Sequence, residues 1–283
     1  MWGVAGIVVT GFFSDNADMT LVYEELASSA LSAGLMIAFR DCTIPTGRMR
    51  RYPNILSYEA VHGTKYFQDT TSMYYRYPIP RESCVLPFTR NAVGPMDYAP
   101  VVLGAYRTGS TDVHQIALPV VFLSYVTRIA ESPEILENTP CSAFLEGLPA
   151  SWDESHLLEG EPGCFATFAR RKGEAWYVAS ICCVRARTAS IDFSFLGEGR
   201  YTATLYTDGM SDLHAEDVPI GAMAPNPKEQ FDAWEKTVSR PTSHIHDLHL
   251  CEIKTLTVSK GDHLDIPCLQ DGGFAMKLEP EAK

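Results

Sequence analysis

"GVAGIVVTGFFSDNADMTLVYEELASSALSAGLMIAF", residues 3–39, decides the fold class. Residues 3–13 form a continuous apolar run closed by an acidic stretch, the pattern of a strand buried on both faces. Residues 16–34 then carry Met19, Val22, Leu26, Ala30 and Ala33 at the three- and four-residue steps of one helical face. Gly34 stands where such a helix stops. Residues 35–39 are a second apolar strand. Strand, helix, strand in this order predicts a β-α-β unit with parallel strands and a right-handed crossover.

Outward from this unit, "NILSYEAV" (54–61) reads as a third strand and "LPFTRNAVGPMDYAP" (86–100) as a turn–strand element. Residues 113–131 read as a long helix running into a strand-like stretch. Such alternation fits a parallel α/β sheet or barrel. The second half changes character. "CFATFARRKGEAWYVASICCV" (164–184) is a hairpin about Lys172-Gly173, and "TASIDFSFLGEGRYTATLYTDG" (188–209) reads as another, with alternation through Ile191, Phe193 and Phe195. Short strands follow in "LHLCEIKTLTV", "DHLDIP" and "GGFAMKLEP". An antiparallel β-sandwich is expected here. The fold class is therefore α/β plus all-β, with domains over 1–148 and 149–283. Residues 208–247, polar and proline-rich, read as an excursion between strands.

Composition narrows the partners. The 283 residues hold 46% hydrophobic and 20% charged side chains, ordinary for a globular protein. A net charge of −12 from 35 acidic and 23 basic residues argues against nucleic acid, because no basic excess can neutralise phosphates. No run of about 18 apolar residues exists to span a membrane. "HQIALPVVFLSYVTRIA" (114–130) carries a His, a Pro and an Arg and reads as core. The N-terminus lacks the basic start and cleavage site of a secretory leader, so the compartment stays open. The eight cysteines show no C-x-x-C spacing, and Cys182 and Cys183 would point to opposite faces of a strand. Buried free thiols are the expectation, although an even count is compatible with disulfides.

Candidate chemistry collects where the predicted parallel strands end. Asp41 lies just past the second strand and Glu59 at the end of the third, a carboxylate pair suited to holding a hard cation or to acid–base work. Lys65 follows Glu59 by six residues in "SYEAVHGTKY". Asp97 and Arg48 are candidate substrate-binding groups, and Arg48, Arg50 and Arg51 could equally pair with nearby carboxylates. His244, His246 and His249 with Asp247 form a weaker metal motif inside the polar excursion.

Three stretches in order, "WGVAGIVVTGFFSD", "LMIAFRDCTIPTGRMRRYPNILSYEAVHGTKYF" and "VLPFTRNAVGPMDYAP", resemble the catalytic barrel of glycoside hydrolase family 97. "SWDESHLLEGEPGCFATFARRKGEAWYVAS", "IDFSFLGEGRYTATLYTDG" and "GGFAMKL" are similar to that family's C-terminal oligomerisation β-domain. The resemblance implies the C-terminal part of a (β/α)8 TIM-type barrel over 1–148, followed by the β-sandwich. It also implies cleavage of α-glucosidic or α-galactosidic bonds, an α-linked oligosaccharide or galactoside as ligand, a calcium ion, and a homo-oligomer through the C-terminal domain. Relatives of this kind are often periplasmic or exported.

Residue by residue, the resemblance places calcium ligands at Glu59 and Asp41, with Asp41 standing where the family has a Glu that also helps the base. Thr10 and Gly11 occupy the region in which retaining members carry their Asp nucleophile, which looks like the inverting α-glucosidase group. Lys65 falls where the family has its general-acid Glu, and Arg40 where a His is usual. Carboxylates around Lys65 would hold it charged and unable to give up a proton. The expectation is a glycosidase by ancestry whose catalysis is impaired or incomplete in this chain. The alternative is a non-catalytic carbohydrate-binding or oligomerisation module.

Overall fold

The structure, a computed structural model, describes residues 3–63, 79–103, 110–209 and 251–281. Lys65 lies outside the described residues, as do residues 210–247 of the polar excursion with His244 and His246, and His249 beyond it.

β1 (Gly6–Val9), α1 (Ala17–Ser32) and β2 (Met36–Phe39) form the expected β-α-β unit, with β1 and β2 parallel and β3 (Ile55–Tyr58) added on the far side of β2. Asn16 starts α1: its side-chain oxygen accepts from the Met19 N–H at 2.8 Å. The helix stops where Gly34 takes φ +70°, and the N–H groups of Gly34 and Leu35 return to the Leu31 and Ala30 carbonyls at 3.0 and 2.8 Å.

The buried face of α1 is rotated from the expected one. Tyr23, Ala27 and Ala30 are buried, while Val22 is exposed. Tyr23 stacks on Phe12 at 4.3 Å between ring centres and meets Phe39 edge-on at 5.0 Å. This aromatic cluster recruits Tyr23 in place of an aliphatic neighbour. β1 also departs from expectation: Ile7 and Val8 are exposed, so its apolar run is not buried on both faces.

α2 (Ile79–Val85) leads into tight 3-10 turns over Leu86–Phe88 and Asn91–Val93. Of the turn–strand element expected over 86–100, a single parallel bridge between Met96 and Tyr58 forms among the described residues. α3 (Asp112–Val121) is buried along its whole length, and is shorter than the 113–131 segment expected. Pro119 removes one backbone donor and Phe122 turns extended, which ends the helix. Thr111 accepts from the His114 N–H at the start of α3. Arg170 donates to the Val120 and Val121 carbonyls at its end. α4 (Pro133–Glu137) and a 3-10 segment (Pro140–Leu145) connect to the β-rich half.

That half has β4 (Glu154–Glu161), β5 (Phe165–Lys172), β6 (Ala175–Cys182), β7 (Arg187–Asp192), β8 (Arg200–Asp208), β9 (Cys251–Ser259), β10 (His263–Cys268) and β11 (Gly273–Pro280). Six of them pair antiparallel in the order β4-β5-β6-β11-β8-β9, and β10 pairs with β7 in a second, two-stranded sheet. The β5–β6 hairpin forms as expected. The second expected hairpin does not. β7 and β8 belong to different sheets, and Phe193–Phe195 is a 3-10 turn that carries the chain between them.

Side chains alternate along β6. Trp176, Val178 and Cys182 enter the core against the small sheet, with Phe193, Ile266 and Phe274. Tyr177, Ala179 and Ile181 enter the core beneath α3, with Ile116, Val120 and Phe144. All eight cysteines are free thiols, five buried and three half-buried.

Candidate functional site

β1, β2 and β3 run parallel, so their C-terminal ends share one edge, where open α/β sheets collect ligand-binding groups. Thr10 follows β1, Arg40 and Asp41 follow β2, and Glu59 follows β3. The Thr10 hydroxyl donates to the Asp41 carboxylate. The Asp41 N–H donates to Glu59 Oε2 at 2.8 Å, and the Glu59 N–H continues the sheet by donating to the Phe39 carbonyl at 2.8 Å. Glu59 is buried, and burial of an acid without partners is costly. Asp41 and Ala60 both take left-handed backbone, φ +46° and +39°. Such conformations in non-glycine residues concentrate at functional edges. His62, next along the chain, has its pKa lowered by burial while the Glu59 charge pulls it back up.

Asp97 is the second cluster. It is buried, and its Oδ2 accepts from Arg40 Nε at 3.4 Å and from the Arg128 guanidinium. Thus Arg40 and Asp41, adjacent in sequence, serve two different acid groups. Arg48 is engaged elsewhere, donating to Glu24 on α1 at 3.3 Å and to Thr46. Arg51 also reaches Glu24, so two members of the arginine cluster anchor α1, not the strand-end carboxylates. Tyr98 is buried against Phe122, 4.9 Å between ring centres, and is core.

Two groups of this edge escaped the sequence reading. Arg90 donates to the Tyr58 carbonyl at 2.6 Å and to the Gly94 and Pro95 carbonyls at 3.0 Å, tying the end of β3 to the loop that carries Asp97. Burial pushes its pKa down to about 10. Arg128 meets Asp97 across 31 positions of sequence, and no local pattern announces such a pair.

Among the described residues, no group of three or more His, Cys, Asp or Glu side chains gathers to hold a metal ion. Asp41 and Glu59 offer two carboxylates, each already hydrogen-bonded, against the roughly six to eight oxygens that calcium takes. The described donors alone do not make a calcium cage. Among the described residues, no helix is long and apolar enough to cross a membrane.

Residues 151–236 match the family described as glycosyl-hydrolase 97 C-terminal, oligomerisation. A retaining alpha-galactosidase of Bacteroides thetaiotaomicron is 32% identical over 240 residues, 77% of this chain and 35% of that protein. A glycoside hydrolase family 97 enzyme from Pseudoalteromonas sp. strain K8, solved with panose and with acarbose, superimposes with a TM-score of 0.76 at 25–26% identity, over 95% of this chain and 38% of that one. A beta-arabinopyranosidase structure gives a TM-score of 0.75 at 26% identity, over 97% of this chain and 39% of that one. These findings support family 97 and glycoside hydrolase ancestry. The chain spans 35–36% of the length of the curated relatives it matches.

Proposed function

We propose that this chain is a family 97 α-glycoside-recognising unit, of α-galactosidase lineage, whose own residues do not complete a catalytic acid–base pair. The carrying observation is the strand-end cluster in which Thr10 bonds Asp41 and Asp41 bonds Glu59. In this reading the α/β part is the C-terminal portion of a (β/α)8 barrel and Thr10 replaces a retaining nucleophile. The inverting α-glucosidase assignment is the weaker of the two, because the curated relatives carry retaining galactosidase names. Lys65 replaces the proton donor. Asp41 and Glu59 would contribute to a calcium site only with oxygen donors from elsewhere, and no step is routed through that ion. Asp97, with Arg40 and Arg128, would present the sugar-facing polar edge, while Arg48 is occupied by Glu24.

Assays with p-nitrophenyl α-galactoside and α-glucoside, with and without calcium, test this. The expected result is no turnover above buffer, together with saturation-transfer NMR contacts to methyl α-galactoside. Turnover that Glu59→Gln abolishes overturns the impaired reading. The absence of both turnover and sugar contacts overturns recognition as well.

A second reading is favoured by the description of the 151–236 match: the β-domain drives self-assembly. Sedimentation equilibrium should then give a multiple of the 31.3 kDa chain mass, and a strictly monomeric chain at 100 μM, roughly a thousand times a nanomolar-range Kd of about 0.1 μM, rejects it.

A further inference from the structure

We propose that the chain carries two built disulfide sites, Cys84–Cys183 and Cys182–Cys268, that close when it folds under oxidising conditions. The geometry begins with strand alternation. Cys182, the last residue of β6, and Cys183, which follows it, enter opposite cores. Cys182 shares its core with Cys268, and Cys183 shares the other with Cys84, Cys141 and, at its margin, Cys251; of these, Cys84 is the one that interacts with the Cys183 thiol. On the small-sheet side, Cys182 Sγ donates to the Leu269 carbonyl at 3.0 Å, one residue past Cys268, and its backbone N–H donates to Gly272 at 2.9 Å. On the α3 side, Cys183 Sγ donates to the Gly163 carbonyl at 3.0 Å, while the Gly163 N–H donates to the Cys84 carbonyl at 3.1 Å. Both residues of each pair are therefore fastened to the same short segment, and within each pair the two thiols contact one another.

All four are buried, and the thiol pKa values of Cys84 and Cys182 are pushed up, first by the neighbouring thiol and then by burial. Thiols in that condition react slowly, because the thiolate is the nucleophile. Closure therefore belongs to folding, before the cores seal. With a small-molecule disulfide such as oxidised glutathione as oxidant, one protein thiolate attacks its S–S bond and expels one glutathione thiolate. The second protein thiolate then displaces the other glutathione. Each bridge consumes one oxidised glutathione, yields two reduced glutathiones, and costs the protein two hydrogens. One bridge would join the two sheets, and the other would join α2 to the large sheet.

The test is to refold the full chain from urea with oxidised glutathione, block remaining thiols with iodoacetamide, and digest with trypsin without reduction. Cleavage isolates Cys84 in peptide 82–90, Cys182 with Cys183 in 173–185, and Cys268 in 261–277. The expected product is one species of three peptides joined by two disulfides, with a higher urea midpoint than the reduced chain. Cys268→Ala should leave 82–90 joined to 173–185 alone, and Cys84→Ala should leave 261–277 joined to it alone. Alkylation of all eight cysteines in the refolded chain overturns the proposal, as does pairing of Cys183 with Cys164. Fragment-ion spectra of that species that cleave between Cys182 and Cys183 assign each bridge in the unmutated chain, so the matter is decided even if a variant fails to fold, and the swapped pairing Cys84–Cys182 with Cys183–Cys268 also overturns the proposal.

Discussion

The Asp41 backbone N–H points into the Glu59 carboxylate at 2.8 Å, so the acid after β3 holds the turn after β2. Asp41 sits at φ +46°, a conformation that its hydrogen bonds must sustain. Glu59→Ala should therefore cost about 1–3 kcal/mol, the range for a buried donor left without its acceptor. Glu59→Gln keeps an acceptor oxygen and should cost clearly less. Urea unfolding of both variants checks the order, and equal losses would show that the Asp41 bond contributes little.

Asp97 balances two guanidiniums through one oxygen, with Arg40 and Arg128 each about a third or less exposed at the side chain (27% and 36%). Removing the shared acid leaves both arginines unpaired beside one another. Asp97→Ala should destabilise by about 2 kcal/mol, below the fully buried case because water screens the arginines. A double-mutant cycle with Arg128→Met should show coupling between the two residues. Strict additivity would place Arg128 outside the pair.

His114 and Asp208 act on one turn from two sides. His114 Nδ1 contacts the Gly272 carbonyl at 3.2 Å, and Asp208 Oδ2 accepts from the Leu269 and Gly273 N–H groups at 3.0 and 2.9 Å. Burial lowers the His114 pKa from 6.5 to about 4. Its proton opposes the fold, so its contribution is complete above pH 6.5 and is lost as the pH falls from 6.5 to about 4. Burial raises the Asp208 pKa from 3.8 to about 6, so its proton favours the fold. Stability from this group is complete below pH 3.8 and is lost as the pH rises through about 6. The two slopes oppose each other across this window. Asp208→Asn should steepen acid destabilisation and His114→Gln should flatten it, read as urea midpoints from pH 4 to pH 8.

Arg170 closes the buried C-terminal end of α3 from the neighbouring sheet, and also reaches Ser155 Oγ at 2.8 Å. Burial lowers its pKa to about 10. Arg170→Met preserves much of the packing but leaves the last carbonyls of α3 unanswered. A loss of about 2–4 kcal/mol is expected, several hydrogen bonds to a charged group being removed together. Hydrogen exchange should show fraying of Leu118–Val121 before global unfolding.

Local signals in the sequence carried local structure. Gly34 marks the end of α1 and Lys172-Gly173 the β5–β6 turn, because caps and tight turns depend on a few adjacent residues. Partnership at long range was not legible. The 188–209 segment looked like a hairpin, yet β7 pairs with β10, whose Ile266 lies opposite Ala189. Nothing between Asp192 and Arg200 reports which sheet each flank joins. The apolar run in β1 carries composition without showing which face a neighbour covers, and Ile7 and Val8 are exposed. At the candidate site, Asp41, Glu59 and Asp97 were visible as acids at strand ends. Arg40 and Arg128 as partners of Asp97 were not, because ion pairs across 57 and 31 positions leave no periodic trace.

The position of β11 sets an order of events at the ribosome. Gly273–Pro280 lies between β6 and β8, hydrogen-bonded to both, although β6 ends at Cys182 and β8 at Asp208. Once Ser259 has been made and until Gly273 follows, the β4-β5-β6 block and the β8-β9 block each present an open edge with no strand between them. The large sheet can close only after Pro280 clears the exit tunnel, so a nascent chain stalled with β9 outside the tunnel and β11 not yet out would expose two adhesive edges for as long as the stall lasts.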